Sequence, residues 1–236
     1  MKALQIILIA ITAIIGCTKN SQTATATTTN MDTKDSLTYL ALGDSYTIGE
    51  SVAADQSYPY QLTASLKASG LHIATPTIIA TTGWTADNLI NAIASSNIHG
   101  RAYDFVTLLI GVNDQYQGLS QSNYRTRFVQ LLNTAIGFAK GDTSRVFVLS
   151  IPDWGVTPFA NGQDAVIGPQ IDQFNAINKE ESLKAGVHYL DITPISRQAA
   201  NDPSLVAPDG LHPSGRMYAL WVAQLAPTVG ARLAKP

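Results

Sequence analysis

The stretch Tyr39–Glu50, YLALGDSYTIGE, is mainly apolar up to Gly43 and then breaks into Gly-Asp-Ser. A strand that stops on a glycine turn can push the following side chains into solvent, and one of them here is the hydroxyl of Ser45. Alone, that hydroxyl is a poor nucleophile. Acyl transfer would need a base to take its proton, an acid to orient the base, and donors for the oxyanion. Four further segments carry residue types suited to a site: TTGWT around Gly83, GVND with Asn113, PDWG at Pro152–Gly155, and APDGLHPSG, which sets Asp209 three residues before His212. Taken singly, each has a structural explanation. Ser45 fits a helix cap, Gly83 a turn, Asn113 a strand terminator, and Asp209 with His212 a surface turn before a helix.

These segments need elements to bring them together. From Leu37 onward, short β-rich runs alternate with longer amphipathic ones, the pattern of parallel strands joined by helices. The expected strands are LTYLAL, HIATPTIIA, DFVTLLIG, RVFVLSI and VHYLDI; the expected helices are Tyr58–Ala68, Thr85–Ala94, Ser120–Ala139, Pro169–Lys184 and Ser214–Leu233. Ser120 suits an N-cap, and Gly70, Gly141 and Gly186 fall just past helix ends. The pattern predicts an α/β protein, a three-layer α/β/α sandwich around a five-stranded parallel sheet, formed by one domain over residues 37–236. Ligands of such sheets bind outside the carboxyl ends of the strands. The segments carrying Ser45, Gly83, Asn113 and Pro152–Gly155 all fall there.

In order and approximate spacing, GDS, a lone glycine, GxND and DxxH resemble the sequence blocks of the SGNH/GDSL hydrolases, the GDSL-like lipases and acylhydrolases. The resemblance spans most of the chain after residue 36. It implies a flavodoxin-like SGNH fold and a serine esterase that cleaves small-molecule, glycan or lipid esters through an acyl-enzyme, without a cofactor. It also implies Ser45 as nucleophile, His212 as base and Asp209 as the orienting acid, with the Ser45 and Gly83 N–H groups and the Asn113 side chain as oxyanion donors. The residue types suit those roles. An imidazole changes charge near neutral pH, a carboxylate three residues away can hold its other N–H, and an asparagine amide offers two donors without a formal charge.

The other histidines are poorer bases. His72 and His188 open strands and His99 lies in a loop before one, which places all three toward the amino edge of the sheet. No HxH, HExxH or cysteine pair occurs, so no metal site is expected. Asp44 and Asp114 are expected to shape their loops through local hydrogen bonds. Trp84, Tyr116, Trp154 and Phe159 follow strand ends and either line a pocket or pack beneath the loops. Two other readings compete: a flavodoxin-like binder in which Ser45 and Thr47 hold a flavin phosphate, and a surface lipoprotein that binds without catalysis.

Composition narrows the setting. The 236 residues are 45% hydrophobic and 14% charged, suited to a compact fold, and the formal charge of −2 with singly scattered basic residues argues against nucleic acid as a partner. Lys2, the apolar run Ala3–Ile15 and IIGC ending in Cys17 read as a signal peptide over residues 1–16. The run is short of the about 20 apolar residues that span a bilayer. IIGC resembles the lipobox of bacterial lipoproteins, which implies export to the cell envelope and a membrane anchor through lipid on Cys17, the sole cysteine. The Thr-rich segment up to Ser36 reads, with Cys17, as a flexible linker over residues 17–36.

Overall fold

Every residue of β1 (Tyr39–Gly43) and of β3 (Phe105–Leu109) is buried, as apolar strands covered on both faces should be. They pair in parallel from Tyr39 opposite Phe105 to Gly43 opposite Leu109, and the Tyr39 and Phe105 rings stack with centroids 4.3 Å apart. β2 (Thr77–Ala80) adds outside β1, while β4 (Val146–Leu149) and β5 (His188–Leu190) extend the sheet beyond β3. The result is an all-parallel sheet of order β2-β1-β3-β4-β5. The computed structural model describes residues 36–234. The segments read from the sequence as signal peptide and linker, with Cys17, lie outside the described residues through residue 35.

From β1 the chain crosses to β2 on one side and then returns to β3 on the other. Right-handed crossovers in opposite directions put their helices on opposite faces of the sheet. Accordingly α2 (Tyr58–Ala68) packs against the last helix, α8 (Gly215–Leu233), while α3 (Ala86–Ser95), α5 (Gln121–Phe138) and α6 (Asp164–Ala185) pack in series. The reversal opens a crevice at the carboxyl ends of β1 and β3, the usual ligand position of such sheets.

Two expected elements differ most in where they start. Of HIATPTIIA only Thr77–Ala80 is strand; Ile73 makes a lone parallel bridge to Leu37. Pro76 explains the break, because it has no N–H for a ladder and restricts the residue before it. α6 begins at Asp164, five residues ahead of the expected Pro169 start, and carries that proline inside it. Tertiary packing outweighs the proline: Ile167 and Gly168 are buried in this first stretch of the helix, which packs on the short 3₁₀ turn Trp154–Val156.

Candidate active site

The turn after β1 is set by crowding. A Cβ on Gly43 would lie 2.0 Å from Thr47 Oγ1 and 2.4 Å from the Leu109 carbonyl oxygen, so only glycine allows the chain to turn this closely. The single-turn helix α1 (Ser45–Ile48) follows, with Asp44 as its N-cap: Asp44 Oδ1 accepts from the Tyr46 N–H at 3.0 Å. Ser45 is thus the first helical residue, where a backbone N–H has no intrahelical acceptor. Tyr46 is buried between the site and the core, its ring 5.5 Å from that of His212 and 6.5 Å from that of Trp221 in α8. Burial pushes the Asp44 carboxyl up to about 8 against the opposing Tyr46 hydrogen bond.

Gly83 lies in the turn after β2, closed by the Trp84 N–H donating to the Thr81 carbonyl at 3.3 Å. Its φ of +82° requires glycine, and a Cβ there would meet nothing within 4 Å. The open space above it belongs to the pocket.

The turn after β3 forms the short helix α4 (Val112–Tyr116). Asn113 Nδ2 donates to the Trp84 carbonyl at 2.9 Å, which ties this turn to that of Gly83 and leaves the second amide N–H uncommitted by that bond. Asp114 turns inward and accepts from the Ala86 N–H at 2.9 Å, anchoring the start of α3. Burial raises its carboxyl to about 6, with the Ala86 hydrogen bond opposing the rise. Asp44 and Asp114 therefore shape their loops, as expected from the sequence.

The loop that carries His212 is built around one carboxylate. Asp209 Oδ1 accepts from the Leu211 and His212 N–H groups, each at 3.0 Å. Oδ2 accepts from His212 Nδ1 at 2.6 Å and from Ser51 Oγ at 2.7 Å. The four bonds fill the ordinary acceptor capacity of a carboxylate. Partial burial works to raise the Asp209 carboxyl, but hydrogen bonds from Ser51, His212 and the two backbone N–H groups together hold it well below the usual range. With Nδ1–H donating to Asp209, the tautomer leaves His212 Nε2 as the ring's acceptor.

Ser45, Gly83, Asn113 and His212 line one cavity of about 170 Å³, together with Tyr46, Thr82, Val112, Tyr116, Trp154, Phe159 and Leu211. Asp209 stands behind His212. Of the four aromatic residues singled out in the sequence, Tyr116, Trp154 and Phe159 line this cavity, with ring centroids 5.5–6.5 Å apart, whereas Trp84 packs against the core. Trp154 is held by its indole N–H donating to Gln115 Oε1 at 2.8 Å. Sequence reasoning missed Tyr46, Ser51 and Leu211; the first two follow Ser45 within six residues, which was the available clue. His188 opens β5 as expected, and His99 Nε2 meets the Ala94 carbonyl at 2.7 Å. Among the described residues, no group of three or more His, Cys, Asp or Glu is placed to hold a metal, and no helix is long and apolar enough to cross a membrane.

The sheet order and the crevice at its reversal define a class seen in solved structures. TesA shares 15% identity over 83% of this chain and 99% of its own, with a TM-score of 0.65. The psychrotrophic esterase EstA from Pseudoalteromonas sp. shares 15% over 84% and 100%, at 0.64. The acetylxylan esterase Axe2 from Geobacillus stearothermophilus shares 19% over 85% and 95%, at 0.62. At these identities the likeness is one of fold. A comparison with curated proteins finds no match. The GDSL-like lipase/acylhydrolase family model matches residues 41–220, and the chain belongs to that family. It is a carboxylic ester hydrolase by class rather than a flavin or non-catalytic binder. Thr47, which the flavin reading would set on a phosphate, is fully buried.

Proposed function

We propose that the protein hydrolyses carboxylic esters by serine acyl transfer, with Ser45 as nucleophile, His212 as base, Asp209 as orienting acid, and Gly83, Asn113 and the Ser45 N–H as the oxyanion hole. The observation that carries this reading is the single cavity that Ser45, Gly83, Asn113 and His212 share, with His212 Nδ1 bonded to Asp209 behind it. His212 Nε2 takes the Ser45 proton as Oγ bonds to the substrate carbonyl carbon, and the carbonyl oxygen becomes an oxyanion. Asp209 stabilises the resulting imidazolium without taking its proton. Three N–H donors face the oxyanion: those of Ser45 and Gly83, and the amide N–H of Asn113 that Trp84 does not hold. As the tetrahedral adduct collapses, the bond to the leaving alcohol breaks and His212 gives the alcohol its proton. Water then attacks the acyl-enzyme by the same steps, with His212 again as base, and releases the carboxylic acid and free Ser45.

The modest cavity, walled by Val112, Tyr116, Trp154, Phe159 and Leu211, favours a short acyl chain or a compact leaving group. Small-molecule, glycan and lipid esters all offer such groups. A fluorophosphonate probe should label Ser45, and a panel of esters of graded acyl length should show kcat/KM falling as the chain grows. Labelling elsewhere, or hydrolysis undiminished in Ser45→Ala, would reject the nucleophile.

The same reading places the mature protein on a membrane of the bacterial envelope through lipid on Cys17, supported by Lys2, the apolar run and IIGC. Labelled palmitate should enter the wild-type chain in a bacterial host and not Cys17→Ser. Equal labelling of both would reject the anchor.

A further inference from the structure

The chain does not leave the site after α1. The Gly49 and Glu50 N–H groups both donate to the Ser45 carbonyl, at 3.1 and 3.0 Å, so the following turn is fixed to the nucleophile residue itself. Glu50 is flanked by two left-handed residues, Gly49 at φ +78° and Ser51 at φ +64°. Ser51 is one of three described non-glycine residues with positive φ, a conformation that an L side chain adopts at a cost. A serine kept there calls for a reason in its side chain. Its hydroxyl is committed to Asp209 Oδ2, 158 residues away in the chain, at 2.7 Å. Its neighbour Glu50 reaches the other way: Oε2 accepts from the Thr82 hydroxyl, on the residue that precedes Gly83.

We infer that the Gly49–Ser51 turn is a positioning device that sets two parts of the machinery against Ser45: Ser51 fixes the Asp209 carboxylate, and Glu50 fixes the turn that carries Gly83. The inference rests on the roles given to Asp209 and Gly83 under Proposed function. The Asp209 side chain is 29% exposed, so water competes for Oδ2, the oxygen that holds His212. A hydroxyl fixed at 2.7 Å occupies the second acceptor position of Oδ2 and restrains rotation of the carboxylate. The imidazole then stays aligned with Ser45. Neither Ser51 nor Glu50 lines the cavity, so both act through other residues.

The test separates positioning from folding by using variants that move stability and turnover in opposite directions. Ser51→Gly removes the hydroxyl and relaxes the left-handed backbone, so Tm should hold or rise while kcat falls about five- to tenfold with KM within twofold, the effect of losing one hydrogen bond to a partly exposed charge. Ser51→Thr keeps the hydroxyl on a strained β-branched residue, so Tm should fall while kcat of the folded enzyme stays near wild type. In an Asp209→Asn background Ser51→Gly should cost nothing more, because it acts through Asp209. Glu50→Ala should lower kcat by a similar factor and multiply with Ser51→Gly, because it acts on the other arm. Wild-type kcat in Ser51→Gly, or a full further loss on top of Asp209→Asn, would overturn the inference while leaving the triad standing. Wild-type kcat in Asp209→Asn alone would instead remove Asp209 from the relay, and the Ser51 arm with it.

Discussion

Ser45 and His212 are held by contrasting means. Ser45 stands on a turn enclosed by core: Gly43 lies against Thr47 and Leu109, Asp44 and Thr47 are fully buried, and Tyr46 reaches Trp221. His212 stands on a loop closed by the Val206–Pro213 bridge and by the Ala207 N–H donating to the His212 carbonyl at 2.7 Å, and within it four hydrogen bonds hold the partly exposed Asp209. Packing fixes the first and hydrogen bonds fix the second. The nucleophile side therefore resists change until the fold fails, whereas the base side can lose geometry one bond at a time with the fold intact.

The largest effects should come where the two sides meet. Ser45→Ala and His212→Ala should each lower kcat by about 10⁴-fold or more, and the double variant should be little worse than either, because triad members act as a unit. Losses that multiply would show that the two sides work independently. Asn113→Ala comes next, with kcat down about 10²–10³-fold at nearly constant KM, since one oxyanion donor is lost in the transition state. Wild-type kcat with a lowered Tm would make Asn113 only a structural tie between the turns.

Stability sharpens the contrast. Gly43→Ala drives a Cβ into Thr47 and the Leu109 carbonyl and should cost about 3 kcal/mol or more, the upper end of overpacking. Gly83→Ala meets open space and should cost only about 1–2 kcal/mol of backbone strain. Equal Tm losses would erase the distinction between a packed turn and an open one.

The last contrast is one of slope with pH. Burial lifts the Asp44 carboxyl from 3.8 to about 8, so between these values the folded chain binds more protons than the unfolded one. Its contribution to stability is therefore fully present below about pH 4 and is lost as pH rises toward 8. Asp44→Asn keeps the capping oxygen without the titration and should reduce the slope of Tm against pH across that window, leaving below about pH 6 the part that the raised Asp114 carboxyl supplies. Asp209 has the opposite sign: its depressed carboxyl stabilises the fold above the unfolded carboxylate range, and that stability is lost as pH falls through and below it. Asp209→Asn should shrink the acid-side slope, to which the lowered carboxyls of Asp142, Glu180 and Asp202 also contribute, and leave the slope toward pH 8 unchanged.

The sheet was legible because its strands are apolar runs that stop at turn residues; GDS and GxND stand at such stops, whereas DxxH lies in the loop ahead of the last helix. Tyr58–Ala68 was read to the residue, since Pro59 marks its first turn and Gly70 its end. α1 and α4 were not legible, because a single helical turn has no periodicity to detect. The start of α6 was misplaced because Pro169 reads locally as a first-turn residue, while burial of Ile167 and Gly168 is a property of the folded whole. Ser51 gave no signal beyond its closeness to Ser45, because what distinguishes it is a left-handed backbone and a partner 158 residues away. Trp84 followed a strand end as Trp154 did, yet only Trp154 reached the cavity, a choice that loop packing makes and residue type does not.

The spread of the site along the chain has a temporal consequence. Ser45, Gly83 and Asn113 are translated first, with the turns that hold them, while Asp209 and His212 follow just ahead of α8, the helix that packs on α2 and meets Tyr46 through Trp221. On the ribosome the nascent polypeptide therefore carries the proposed nucleophile without its proposed base for most of its synthesis. With the roles proposed for Ser45 and His212, hydrolysis needs both, so catalytic turnover would also report completed synthesis, silent in any product stalled before residue 212.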